Sequence, residues 1–255
     1  MNTRTAVRAW LFLAALLMLP AAPQALAAAP ASPENGVGPG AAAPGAALFP
    51  PEYAKKRPRP ADLNFFRVKD DLQAHVNRLP AGLKSGEKKR IEILSTVRAY
   101  LVKLMKFIPY DGTKAGVRLD NGKVFKASVM GNEEELVLRP RRGKSKIVRW
   151  EELPPSQYAV MLEYYGRYRL EHEASGKPGA ANLKSRQQEA AWDWFRAALL
   201  SDWYGSAAEA RRLGRAALDL DHGLKPQAEA LLPWILQPAP EDTTPELQPA
   251  AKARE

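Results

Sequence analysis

Residues 115–150 read AGVRLDNGKVFKASVMGNEEELVLRPRRGKSKIVRW, and their pattern decides the fold class. Apolar residues recur there at alternate positions, the period of a strand whose every second side chain faces a core. Turn residues divide the stretch into four short strands, Ala115–Leu119, Val124–Val129, Glu135–Arg139 and Ser145–Trp150. Asp120-Asn121-Gly122 is a strong hairpin signal, because Asn and Gly tolerate the positive φ of a tight turn. Gly131-Asn132 begins the next turn, and Pro140 to Gly143 forms the last. Strands this short bury little as a flat sheet. They are expected to curl into a small barrel or to lean on flanking helices.

On both sides the apolar period changes from 2 to about 3.6. Phe65, Val68, Leu72, Val76 and Leu79 follow three- and four-residue steps up to Pro80. A stronger stripe, Ile91, Leu94, Val97, Leu101, Leu104, Met105 and Ile108, predicts a helix from about Gly86 to Ile108, ended by Pro109. The two helices are expected to pack as a hairpin spanning 61–110. After the strands, Tyr158, Met161, Leu162, Tyr165 and Tyr168 line one face of a helix over Gln157–Leu170. Ser185-Arg186-Gln187-Gln188 and Ser206-Ala207-Ala208-Glu209 read as capping boxes opening helices 186–203 and 207–220. A third helix is expected from Pro226 to about Leu236.

The strand region also carries a resemblance. Val117, Leu119, Asn121-Gly122-Lys123, Ala127, Leu136-Val137-Leu138, Gly143, Val148 and Trp150-Glu151-Glu152-Leu153-Pro154 fall in the order of the SH3-like homology-domain-one module of adaptor proteins. The chain departs from that family in lacking a leading Trp before Val117. It also has Leu153-Pro154-Pro155-Ser156 in place of the tighter closing motif. The resemblance implies a small barrel over about 112–158 and a peptide-binding role. Likewise Trp194, Ala198, Glu209-Ala210, Ala217-Leu218 and Leu220-Asp221 resemble a single tetratricopeptide-type hairpin over about 186–222, with Gly214 where a Phe is usual. The expected class is therefore α+β: a helical hairpin, a small four-stranded antiparallel SH3-like barrel (111–155), then a C-terminal helical hairpin bundle (156–236).

The ends read differently. Arg4 and Arg8 precede the apolar run Ala9–Leu19, and Ala25-Leu26-Ala27 offers a small-x-small cleavage site, so 1–27 reads as an export signal. Eleven residues rise only about 16 Å, too little for a hydrocarbon core of about 30 Å. A periplasmic or secreted destination follows, with no transmembrane segment in the mature chain. Residues 28–60, rich in Ala, Pro and Gly, are expected to be a disordered linker ending in the basic cluster Lys55-Lys56-Arg57-Pro58-Arg59-Pro60, and 237–255 a disordered tail.

The net charge is +10 with no cysteine. That rules out disulfides, thiolate nucleophiles and cysteine metal sites. His75, His172 and His222 are scattered, Gly116 to Lys123 fails the phosphate-loop spacing, His172-Glu173 fails the zinc-protease pattern, and no Gly-x-Ser-x-Gly elbow exists. No catalytic group, metal site or cofactor is implied, and a non-enzymatic role is expected. Two clusters remain. Arg139, Arg141, Arg142, Lys144, Lys146 and Arg149 contain no acid among them and either track a polyanion or guard an edge strand. Trp192, Trp194, Phe195, Trp203 and Tyr204 either pack a core or form a groove for a protein or peptide partner. The leading expectation is an envelope adaptor that holds protein partners, and the alternative is binding of an anionic polymer through the basic hairpin. The sequence leaves the oligomeric state open.

Overall fold

A computed structural model describes residues 49–172 and 180–237; the segment expected to be an export signal, most of the Ala/Pro/Gly stretch and the residues beyond Gln237 lie outside them. The helices are α1 (Pro51–Ala54), α2 (Lys69–Arg78), α3 (Ala81–Phe107), α4 (Pro155–His172), α5 (Ala180–Trp203), α6 (Ala207–Leu220) and α7 (Lys225–Leu231). Between α3 and α4 run strands β1 (Tyr110–Asp111), β2 (Val117–Arg118), β3 (Val124–Phe125), β4 (Ala127–Gly131), β5 (Glu135–Pro140) and β6 (Lys146–Arg149). The class is α+β, as the change of period implies.

The expected closed barrel does not form. The second predicted strand breaks at Lys126: β3 pairs back onto β2, whereas β4 joins an antiparallel sheet in the order β1-β4-β5-β6. The Asn-Gly turn forms where its residues demand it, with Gly122 at φ 79° and the Leu119 N–H donating to the Lys123 carbonyl at 2.8 Å. Alternation along β4, β5 and β6 buries Ala127, Val129, Leu136, Leu138 and Val148 on one face. Helix α3 packs on that face, bringing Met105 close to Gly131, and Trp150 and Tyr158 stack with centroids 5.6 Å apart in the same core. A helix covers the sheet, so no strand need close onto another.

The helical half differs from expectation at its starts. Helix α3 begins directly after Pro80, whose extended backbone suits an N-cap, and Gly86 lies inside it; a Cβ there would meet the Ala230 carbonyl at 3.0 Å. Helix α5 already runs from Ala180, so Ser185 is an interior residue and its capping box does not exist. Ser206 does precede α6, but its side chain makes no capping bond. The predicted 226–236 helix stops at Leu231, and a short 3₁₀ turn, Pro233–Leu236, follows because Pro233 cannot donate to the ladder. Helices α4, α5 and α6 pack through close approaches. Trp194 covers Gly166, and Ile235 fills the space beside Gly214, which accounts for the absence of a Phe there.

The largest correction concerns the segment expected to be a linker. From Phe49 the chain is packed onto the body, and the cluster Lys55–Pro60 is no solvated tail. The Arg57 side chain is 1% exposed and donates to Glu87 (Nε to Oε1, 2.8 Å) and to Asp202 (Nη1 to Oδ2, 2.9 Å). Arg90 donates to Glu87 at 3.0 Å and also to the Leu231 carbonyl, and His75 Nε2 lies 2.9 Å from Glu87. The Phe49 and Trp203 rings flank the Arg57 guanidinium at 4.3 and 4.8 Å. Trp203 and Tyr204 donate to the carbonyls of Pro58 and Pro60, so the backbone of the segment is tied down as well.

Candidate functional site

Strand β6 is one edge of the four-stranded sheet, β1 being the other, and the β5–β6 hairpin projects its turn into solvent with Gly143 at φ 104°. Register decides which basic side chains point where. Leu136 faces Val148 on the buried side, so Val137 and Ile147, and Glu135 and Arg149, form the pairs of the outer face. Lys146, opposite Leu138, turns the other way and rests over the Phe125 ring at 4.9 Å. It is not part of the open cationic surface. Arg149 lies 3.9 Å from Glu151. Arg139, Arg141, Arg142 and Lys144 are exposed, and no hydrogen bond or ion pair ties their side chains to another described residue. Elsewhere the arginines that reach carboxylates are bound, as Arg57, Arg90, Arg98, Arg169, Arg196 and Arg212 show.

The aromatic cluster does not make one open groove. Phe195 and Trp203 are 0% exposed and belong to the core, which removes them as contacts for a partner on this surface. Trp194 donates to the Glu163 carbonyl at 3.1 Å and packs on Gly166, and Tyr204 is held by Pro60. Trp192 differs. It lines a cleft of about 550 Å³ between α3, α4 and α5.

No family model, curated protein or solved structure matches this chain.

What the cleft can hold follows from its own side chains. Beneath it Asp193 is 0% exposed and accepts from Tyr100, from Arg169 Nε at 3.0 Å and from Arg196 Nη1 at 3.2 Å. Burial raises the Asp193 carboxyl above its usual range even against these donors, and burial with Asp193 alongside pushes the Tyr100 hydroxyl up to about 12. The cluster is a buried, saturated carboxylate with two guanidiniums. Tyr100, Arg169 and Arg196 escape a sequence reading because they come from three helices and resemble ordinary surface residues.

Three further polar groups singled out by the sequence have structural partners. His75 is buried against Glu87, and Asp221 accepts from the Gly223 N–H at 2.9 Å. Asn132 Oδ1 accepts from the backbones of Glu134 and Glu135, forming the acidic turn. Among the described residues no group of three or more His, Cys, Asp or Glu is arranged to hold a metal ion, and no helix is long and apolar enough to cross a membrane.

Proposed function

We propose that the chain is an exported, non-enzymatic binding protein that holds an anionic polymer of the cell envelope on its β5–β6 hairpin. The observation that carries this reading is the set Arg139, Arg141, Arg142 and Lys144, exposed at the end of β5 and on the turn that follows, with no side-chain ion pair or hydrogen bond to a described residue and only Asp111 close enough to feel the charge of Arg141. Guanidiniums so placed offer bidentate donors to phosphate, sulfate or carboxylate. The signal-like first 27 residues support an envelope location. The non-enzymatic part is supported by the engagement of Glu87, His75 and Asp193 in structural pairs. Lys55 and Lys56 remain exposed near α1, but Arg57 is buried and Arg59 donates to the Trp203 carbonyl, so that cluster contributes less than its sequence suggests.

Binding to heparin and to polyphosphate, measured at about 50 and 200 mM salt, tests the reading through counterion release. Neutralising the four hairpin cations to Gln is expected to weaken binding at low salt by about 100-fold and to reduce the salt slope by roughly three. Neutralising Lys56, Lys69, Lys88 and Lys106, exposed elsewhere, is expected to cost much less. Equal losses in both quadruple variants would reduce the hairpin to general charge.

An adaptor for protein partners is the second reading, favoured by the outer face of the same sheet. Ile147 is 60% exposed on the β6 edge, beside half-buried Val137. A peptide strand could pair with β6 there, in keeping with the homology-domain-one resemblance. Lys146 and Arg149 on that edge oppose pairing of two copies of β6, since they would bring like charges together.

A further inference from the structure

We propose that the cleft between α3 and α5 is a second binding site, and that it takes a small amphipathic anion: one carboxylate carried on a flat apolar body. The cleft volume of about 550 Å³ suits such a ligand, since small-molecule sites commonly occupy roughly 300–1,000 Å³. Its walls divide by chemistry. Ile93 and Leu104 from α3 and Trp192 from α5 supply apolar surface, all three half-buried and facing a space that no other described element fills. The indole of Trp192 stands at 86° to the Phe195 ring, which packs behind it and limits its freedom. A flat ring entering the cleft would therefore meet a wall already set in place.

Charge then selects the ligand. The carboxylates around the cleft are engaged: Glu92 with Lys89 at 2.9 Å, Glu189 with Arg169 at 2.6 Å, and Asp193 with Arg169 and Arg196. Lys103 lines the same cleft, is exposed, and makes no ion pair or hydrogen bond with a described residue. Arg196 uses Nη1 on Asp193 and lies over the Tyr100 and Trp192 rings at 4.4 and 5.7 Å, leaving its other nitrogens uncommitted. Four cations, Lys89, Lys103, Arg169 and Arg196, thus face three carboxylates, each of them already paired with one of these cations, and Lys103 is left over. A ligand anion would meet the unpaired Lys103 ammonium, whereas a ligand cation would meet carboxylates that Lys89, Arg169 and Arg196 already partly neutralise. The site is independent of the hairpin, because its residues come from α3, α4 and α5.

The test is titration of the full chain with 2-naphthoate, its neutral isostere 2-naphthamide, and acetate, by calorimetry at low salt. Naphthoate is expected to bind about tenfold tighter than naphthamide, the worth of one charge-assisted hydrogen bond, and acetate to give no measurable binding. Lys103→Gln, an exposed change that leaves the core intact, is expected to remove that tenfold preference. Trp192→Leu is expected to weaken both naphthyl probes by a similar factor. Neutralising the hairpin cations should leave naphthoate binding unchanged. The proposal is overturned by equal affinity for naphthoate and naphthamide, by binding of neither, by binding indifferent to Lys103→Gln, or by loss of naphthoate binding in the hairpin variant.

Discussion

Glu87→Gln is expected to lower the unfolding free energy by roughly 3–5 kcal/mol, the usual cost of breaking a buried ion pair from one side. The Glu87 side chain is 0% exposed and accepts from Arg57, Arg90 and His75 together. Neutralising it leaves two buried guanidiniums sharing Asp202, which is itself partly solvated at 16% exposure. Burial by itself would raise the Glu87 carboxyl. The hydrogen bond from His75 and the charges and donors of Arg57 and Arg90 overcome burial and hold it at about 2, against an ordinary 4.5. A depressed acid stabilises the fold at pH values above its unfolded-state pKa, so this contribution is complete above about pH 4.5 and fades as pH falls toward 2. Urea unfolding followed by tryptophan fluorescence should therefore show a wide gap between wild type and Glu87→Gln at pH 7 that narrows below pH 4.5. Removing residues 1–60 should cost more than Glu87→Gln, since it takes away Arg57 together with the Phe49 ring and the Pro58 and Pro60 carbonyls that accept from Trp203 and Tyr204, whereas removing 1–48 leaves every contact named here in place. A loss under about 1 kcal/mol for Glu87→Gln at pH 7 would mean that water or Asp202 compensates the pair.

This network also marks the limit of what the sequence discloses. Arg57 and Asp202 meet across 145 positions, and Arg57 lies in a Pro-rich run whose composition belongs to linkers. Charged residues are seldom fully buried unless paired, and the pairing is tertiary, so neither Glu87 nor Arg57 carries a local sign of its role. The strands are a contrast. Asn121-Gly122 and the Pro140–Gly143 turn fix their hairpins by backbone chemistry alone, and the alternation of Leu136, Leu138 and Val148 fixes the buried face. Barrel closure is not local. It depends on whether β4 continues β3 or leaves it at Lys126, and on how α3 covers the sheet. The two candidate sites divide in the same way. The hairpin cations are contiguous in sequence and legible there, apart from Lys146, whose orientation follows from register. The cleft assembles Lys103, Arg169 and Trp192 from separate helices, and only Trp192 stands out beforehand.

Trp203→Ala is the other change with a large expected effect, about 3–5 kcal/mol, the range for deleting a buried Trp or Phe side chain. The substitution separates the two roles that the sequence leaves open, core packing being the one it favours. A tryptophan that waits on the surface for a partner can be truncated with little effect on stability, usually within about 0.5 kcal/mol. Trp203 is instead 0% exposed and meets Phe65 edge-on at 5.8 Å and His75 at 6.4 Å. Its indole N–H donates to the Pro58 carbonyl at 2.9 Å, and its face lies 4.8 Å from the Arg57 guanidinium. Truncation would open a cavity beside Arg57, free the Pro58 carbonyl, and let water reach the Glu87 pair. Loss of that shielding couples the two sites. The double variant Trp203→Ala with Glu87→Gln should cost less than the sum of the singles, with an interaction energy of at least about 1 kcal/mol. Trp192→Leu, on the half-buried rim of the cleft, should cost far less than Trp203→Ala in the same urea titration. Should the order be reversed, with Trp203→Ala near neutral, Trp203 would return to the partner-binding surface and the segment from Phe49 to Pro60 would lose its main anchor.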